Sequence, residues 1–373
     1  MASEVVDLFI ELATLPSPPG EERAVANVVI RYLRDLGLQV DEDEAGAKVG
    51  STMGNLYCRL EPTNGGGTPI FLCAHLDTVP PEGPIEPVIE DGIVRNAGGT
   101  ILGADNKSAV AAMLEGTRRV LAENRTHGGI ELLFTPKEEV GLLGAAAFDH
   151  GRMHARVGYV YDQAAPIGEV ILGAPHSQAM HVRFHGRAAH SGMYPEEGRS
   201  AIAAAARAVA DLRLGRVDDD TTANVGIIQG GTAGNIIPEW CTLEAEARSH
   251  DEHKLTDLVQ EMLDAFSFAA GLEDCEVETN VSKSYRGYRF KRDDPVVCIA
   301  HAALDRTGYP PTYGLSGGAA DANVFNERGL ACLNLANGMQ DIHTPDERIA
   351  VEDLEGMVEV TLALVDVARD ADA

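Results

Sequence analysis

The stretch Ile70-Phe71-Leu72-Cys73-Ala74-His75-Leu76-Asp77-Thr78-Val79-Pro80 begins as an unbroken apolar run and turns polar at His75. A short apolar run without alternation is the mark of a strand covered on both faces. Ile130 to Thr135 and Val157 to Tyr161 repeat the pattern, and Asn55 to Leu60 forms a further strand. Between these runs, apolar residues recur at helical spacing over Val5 to Ala13, Glu21 to Leu36 (closed by Gly37) and Lys107 to Glu123. Ser17-Pro18-Pro19-Gly20 separates the first two helices, and Asn64-Gly65-Gly66-Gly67 reads as a turn. Strands alternating with helices predict an α/β domain, with a mixed, mainly parallel sheet flanked by helices.

The pattern changes near Ala174. Met180 to Phe184 alternates; an alanine-rich helix (Arg199 to Leu214), strands at Ala223 to Ile228 and Cys241 to Ala247, a helix at Leu255 to Ala270 and an alternating stretch at Glu276 to Ser284 follow. The order strand-helix-strand-strand-helix-strand predicts a smaller α+β, ferredoxin-like domain with helices on one face of an antiparallel sheet. Helix and strand alternate again from about Asp293. The expected arrangement is one domain of residues 1–174 and 288–373 with a second, residues 175–287, inserted into it.

Chain length agrees with two domains: 373 residues exceed one typical core. Acidic residues outnumber basic ones 58 to 30, for a net charge of −28, which repels phosphate backbones and argues against nucleic acid as a partner. The six cysteines (Cys58, Cys73, Cys241, Cys275, Cys298 and Cys332) form no C-x-x-C pair and read as reduced thiols. Met1 to Glu22 lacks the basic start and apolar core of a secretion signal, and no apolar run reaches the ~18 residues of a membrane span. A cytoplasmic protein without membrane attachment is expected.

Five short motifs carry the chemistry. His75-Leu76-Asp77 places an imidazole and a carboxylate on one side of an extended chain, as a metal ligand and the group that orients it would be. Asp105, in Gly103-Ala104-Asp105-Asn106-Lys107, precedes a helix; it could cap that helix or bridge two cations with its two oxygens. Glu138 and Glu139 follow a buried strand, so one could bind metal while the other works on a water. Asp162 ends the strand of Tyr159 to Tyr161, and His343 opens His343-Thr344-Pro345-Asp346-Glu347. Each has an ordinary explanation taken singly: a cap, a turn or a surface charge. Together, His75, Glu138, Glu139 and Asp162 stand just past strand ends, where sites form in open α/β sheets. Five ligands of nitrogen and oxygen type suit zinc first, with manganese or cobalt possible.

In this order the motifs A-H-L-D-T-V-P, G-A-D-N-K, T-x-x-E-E-x-G, Y-D and H-T-P-x-E resemble the di-zinc family of peptidase T, carboxypeptidase G, aminoacylases and succinyl-diaminopimelate desuccinylase. The similarity spans nearly the whole chain. It is greatest to the peptidase T-like branch, because Asp162 stands where deacylases and carboxypeptidases commonly carry Glu. The resemblance implies that Asp105 bridges two metal ions, that His75 and Asp162 complete one site, and that Glu139 and His343 complete the other. It implies that Asp77 orients His75, that Glu138 is the general base, and that the Asp105–Asn106 peptide is cis. In the inserted domain it implies substrate-binding roles for His190, Asn235 and Arg248, the last gripping a terminal carboxylate as a planar guanidinium can. The family's loop usually carries Pro after His-x, where this chain has Ser191-Gly192. The inserted domain would act as lid and homodimer contact.

The function implied is hydrolysis of amide bonds in short peptides, as an aminopeptidase acting on tripeptides. The alternatives within the family are a dipeptidase and an N-acyl amino acid deacylase. Outside it, Gly314-Leu315-Ser316-Gly317-Gly318 fits the G-x-S-x-G of serine hydrolases, with Asp321 and His343 following in order. That alternative leaves the acidic cluster without a purpose. A non-catalytic peptide- or metal-binding protein would not need both Glu138 and all five ligands.

Overall fold

The structure is a computed structural model and describes residues 3–63 and 66–371. Asn64 and Gly65 of the expected Asn64–Gly67 turn therefore lie outside the described residues. The chain divides into two compact units, one of residues 1–173 and 289–373, the other of residues 174–288.

The first unit is built on an eight-stranded mixed sheet. Its centre is Ile70–His75, hydrogen-bonded in parallel to Ile130–Thr135 on one side and to Val157–Gln163 on the other. Ala331–Ala336 extends the parallel core beyond Val157–Gln163, while Leu56–Leu60 pairs antiparallel with Ile130–Thr135. Every residue of Ile70–His75 and of Ile130–Thr135 is buried, which explains their lack of alternation: helices cover both faces. The helix Ala104–Ala122 is buried almost all round, with Ala109 to Leu114 wholly inaccessible. It crosses the last helix, Val351–Asp370, so closely that a Cβ on Gly116 would lie 2.6 Å from Thr361 Cγ2.

Several elements of this unit escape a reading by periodicity. A three-stranded sheet of Pro87–Glu90, Ile93–Asn96 and Arg348–Ala350 is made of strands of three or four residues, too short to show a period. Tyr313, in a segment that reads poorly as a buried strand, lies in Thr312–Gly314, a three-residue strand at the sheet edge.

The second unit has the order strand-helix-strand-strand-helix-strand, with His176–His185, Ala201–Asp211, Thr221–Gly230, Trp240–Ser249, Glu252–Leu272 and Glu276–Tyr285 as its elements. All strand pairs are antiparallel, with His176–His185 between Trp240–Ser249 and Glu276–Tyr285, the ferredoxin-like arrangement. One addition is the edge strand Gly215–Asp218. Met180, Val182 and Phe184 alternate onto the helical face and pack with Leu243, Leu258, Met262 and Phe266 in a separate core. Among the described residues no helix is long and apolar enough to cross a membrane.

Candidate metal centre

His75, Glu138, Glu139 and Asp162 reach one another because three parallel strands end side by side. His75 is the last residue of its strand, and its Cα partner in the next strand is Thr135. After Thr135 the chain folds into a compact turn in which Leu142 donates to the Glu138 carbonyl, Leu143 to that of Lys137 and Gly144 to that of Pro136. Lys137 takes a left-handed φ of 57° to make that turn. Asp162 lies near the end of Val157–Gln163, and its main chain is clasped by one side chain: Asn334 Oδ1 accepts its N–H at 2.9 Å and Asn334 Nδ2 donates to its carbonyl at 2.8 Å.

Asp105 is the hub. Its Oδ1 lies 3.2 Å from His75 Nε2 and its Oδ2 lies 3.2 Å from His343 Nε2. Asp162 Oδ1 approaches the same nitrogen of His75 at 3.8 Å, and Glu139 Oε1 approaches His343 Nε2 at 3.0 Å. Two clusters thus share Asp105: His75 with Asp162, and His343 with Glu139. Ligand atoms of His75, Asp105 and Glu139 all lie within 4.8 Å of one another. The Asp105–Asn106 peptide is cis, and Asp105 and Asn106 depart from helical dihedrals although the helix nominally begins at Ala104.

Asp77 differs in detail from its expected part. His75 Nδ1 donates to the backbone carbonyl of Asp77 at 2.8 Å, while the Asp77 carboxylate is farther, at 3.6 Å. That carboxylate instead accepts the backbone N–H groups of Glu138 at 2.9 Å and Glu139 at 3.1 Å. One residue therefore orients the imidazole with its main chain and both acids with its side chain.

The charges are unbalanced. Asp77, Asp105, Glu138, Glu139, Asp162 and Asp321 meet the imidazoles of His75 and His343. Burial, then the neighbouring acids Asp162, Asp321 and Glu139, lifts Glu138 well above the carboxylate range against the pull of His75. Burial and Asp105 push Asp162 up to about 7. Asp105 and then Glu139 raise His343 to about 10. Burial opposes the charge on His75, yet Asp105, Asp162 and Asp77 together hold its imidazole well above the ordinary value. Two imidazoles and two carboxylates around a shared aspartate, with surplus negative charge buried, fit divalent cations by donor chemistry and by charge.

The serine-hydrolase arrangement is not assembled. Ser316 Oγ accepts from the Gly318 N–H, Asp321 accepts from Thr135 Oγ1 at 2.6 Å, and His343 faces Asp105 and Glu139. In the second unit, the loops of His190 and Asn235 pair: Ser191 donates to the Asn235 carbonyl at 3.1 Å, and Ile237 to that of Ala189 at 2.9 Å. Both side chains are exposed. Arg248 is half-buried on Trp240–Ser249, with Nη2 2.9 Å from Glu246 Oε2 and its guanidinium 6.0 Å from the Tyr285 ring centre.

Asn334, Asp321 and Glu347 support the site but carry no periodic signal. Asn334 is a lone amide in the apolar strand Ala331–Ala336, and a buried polar side chain always raises the question of its partner. Glu347 closes the His343 motif and is turned inward rather than to solvent.

This fold and this centre define a metal-dependent hydrolase. The profile of the peptidase dimerisation domain matches residues 173–272, and that of peptidase family M28 matches residues 55–172. Aminopeptidase PepT from Bacillus cereus is 38% identical, with 98% of both chains covered and a TM-score of 0.89. A tripeptidase from Staphylococcus aureus is 33% identical over the whole of both chains, with a TM-score of 0.94. An uncharacterized Bacillus subtilis protein, YqjE, is 38% identical over 98% of each chain. The chain belongs to the peptidase T-like family of metal-dependent peptidases.

Proposed function

We propose that this protein is an aminopeptidase that removes the N-terminal residue of tripeptides, using two divalent cations of which zinc is the default. The observation that carries the reading is Asp105, with one oxygen toward His75 and the other toward His343. The kinship with an aminopeptidase and a tripeptidase supports the substrate class. His75 and Asp162 would hold one ion, Glu139 and His343 the other, and Asp105 both. When bound, two such ions supply Lewis-acid polarisation of the scissile carbonyl and acidify an attacking water.

The chain's own residues do the rest. Glu138 is buried, and no hydrogen bond to its carboxylate is formed among the described residues; with cations offsetting the acids that hold its proton on, it would be ionised and able to take a proton from water and pass it to the leaving amine. The Asp77 carboxylate holds the Glu138 main chain for that task. His190 would stabilise the developing oxyanion, Asn235 would contact the peptide, and Arg248 would grip its terminal carboxylate. We further read the protein as cytoplasmic and as a homodimer formed through the inserted domain, in keeping with the dimerisation-domain match.

The test is hydrolysis of di-, tri- and tetrapeptides and N-acetyl amino acids by chelated protein reloaded with zinc, manganese or cobalt. Metal-dependent release of the N-terminal residue from tripeptides is expected. Cleavage of dipeptides or acyl amino acids alone would replace the tripeptidase reading with one of its family alternatives. Activity indifferent to chelation would overturn the mechanism.

A further inference from the structure

Four residues after His343 the chain turns a second carboxylate inward. Glu347 is 2% exposed, and its side chain accepts three backbone N–H groups: Oε2 from Leu102 at 2.7 Å and Gly103 at 2.8 Å, Oε1 from Asp105 at 2.9 Å. These donors form the approach to Ala104–Ala122, where the backbone is irregular. Gly103 has a φ of 79°, Asp105 a ψ of 105° and Asn106 a φ of −118°. Amides at the start of a helix have no carbonyl of their own helix to bond to, and buried ones need an acceptor from elsewhere. Here that acceptor is ionisable, buried and bonded on both oxygens, the kind of charge-assisted contact that fixes a backbone firmly.

We propose that Glu347 is a positioning residue of the metal centre: it holds the main chain of Asp105 so that the two Asp105 oxygens face His75 and His343 before any ion binds. The same short segment, His343–Glu347, supplies a ligand of the second cluster and the anchor of the shared one. The proposal rests on the reading of Asp105 as the ligand common to two ions. Groups that orient metal ligands typically change affinity or activity by about 10–100-fold when removed.

The experiment titrates chelated wild type, E347Q, E131Q and D105A with cobalt(II), reading bound cobalt per chain and the visible absorption of the ion. Glu131 is the control: it too is a buried carboxylate accepting two backbone amides, from His154 at 2.9 Å and Ala155 at 3.2 Å, but at the opposite end of Ile130–Thr135 from the site. E347Q is expected to bind cobalt about 10–100-fold more weakly with an altered absorption band, and E131Q to bind like wild type. E347Q binding like wild type while D105A is impaired would overturn the positioning role alone. Equal weakening in E347Q and E131Q would reduce the effect to stability and overturn it too. D105A that still binds two ions would defeat the shared-ligand reading beneath it. Should E347Q fail to fold, hydrogen exchange on chelated wild type decides: protected amides at Leu102, Gly103 and Asp105 support a site formed before the metal, and fast exchange there overturns it.

Discussion

The Asp77 carboxylate accepts the backbone N–H of Glu138 at 2.9 Å, tying the loop after one strand to the acid that follows its neighbour. A second bond, to the Glu139 N–H at 3.1 Å, makes this a two-point clamp. Asp77→Asn presents an amide N–H to one of those donors and breaks the clamp on that side. The expected result is a fall in kcat of about 10–100-fold, the range for groups that orient a metal site. Steady-state kinetics beside metal content per chain checks it; wild-type kcat in a metal-replete D77N would rule the clamp out.

Glu138→Gln tests the proton carrier. It preserves volume and the backbone bond to Asp77 but cannot accept a proton. Loss of a general base costs about 100- to 10,000-fold, so kcat is expected to fall by that range while both ions stay bound. Retained turnover would remove Glu138 from the mechanism.

Metal uptake should release protons. In the metal-free centre Asp105 and Glu139 raise His343 to about 10, so its imidazole is protonated at neutral pH. A metal ligand must be neutral at the bonding nitrogen. Binding at pH 7 must therefore expel that proton, and the apparent affinity must rise with pH. Calorimetry in two buffers of different ionisation heat measures the protons released; identical heats in both would contradict the assignment.

Lys107 makes stability depend on pH in the same sense as a paired carboxylate, but in a neutral-to-alkaline window. It is wholly buried and donates to the Leu15 carbonyl at 2.6 Å, and burial pulls its ammonium down to about 7 against the support of Glu347. In the unfolded chain it keeps its proton to about 10.4. Between those values the unfolded state binds more protons, so unfolding free energy rises with pH, by up to about 1.4 kcal/mol per unit from this group. Below pH 7 both states are charged and the slope disappears. Urea unfolding of chelated wild type and Lys107→Met across pH 6.5 to about 9 should show a shallower slope in the variant; equal slopes would refute the depressed value.

Gly116→Ala sets two known terms against each other. Alanine favours a helix interior over glycine by about 1 kcal/mol. The added Cβ, however, meets Thr361 Cγ2 at 2.6 Å, and Thr361 is held by bonds to the Met357 carbonyl and the Tyr161 hydroxyl. Overpacking of that kind costs about 1–3 kcal/mol, so a net loss is expected in urea unfolding. An unchanged or higher midpoint would show that the helices part freely.

Much of the fold was legible because its strands are extreme cases. Ile70–His75 and Ile130–Thr135 are apolar throughout and end in polar residues, so both the element and the position of its functional end stand in the sequence. The alternation of Met180, Val182 and Phe184 likewise announced a sheet with one covered face. Strands of three or four residues, such as Arg348–Ala350, are held by their partners and carry no pattern of their own.

The sequence by itself determined which residues are candidates for the chemistry, since only imidazole and carboxylate groups in those motifs can serve a pair of cations, and where along the chain each would emerge. Only the tertiary structure decided how they meet. That Asp105 lies between His75 and His343 depends on contacts across 30 and more than 200 residues of chain. That Asp77 grips the backbone of both acids, that Asn334 clasps Asp162, and that Glu347 turns inward to the amides before Asp105 are matters of direction and distance. Local sequence is silent on them because a polar side chain specifies what it can bond to, while the packed sheet and helices specify what lies within reach.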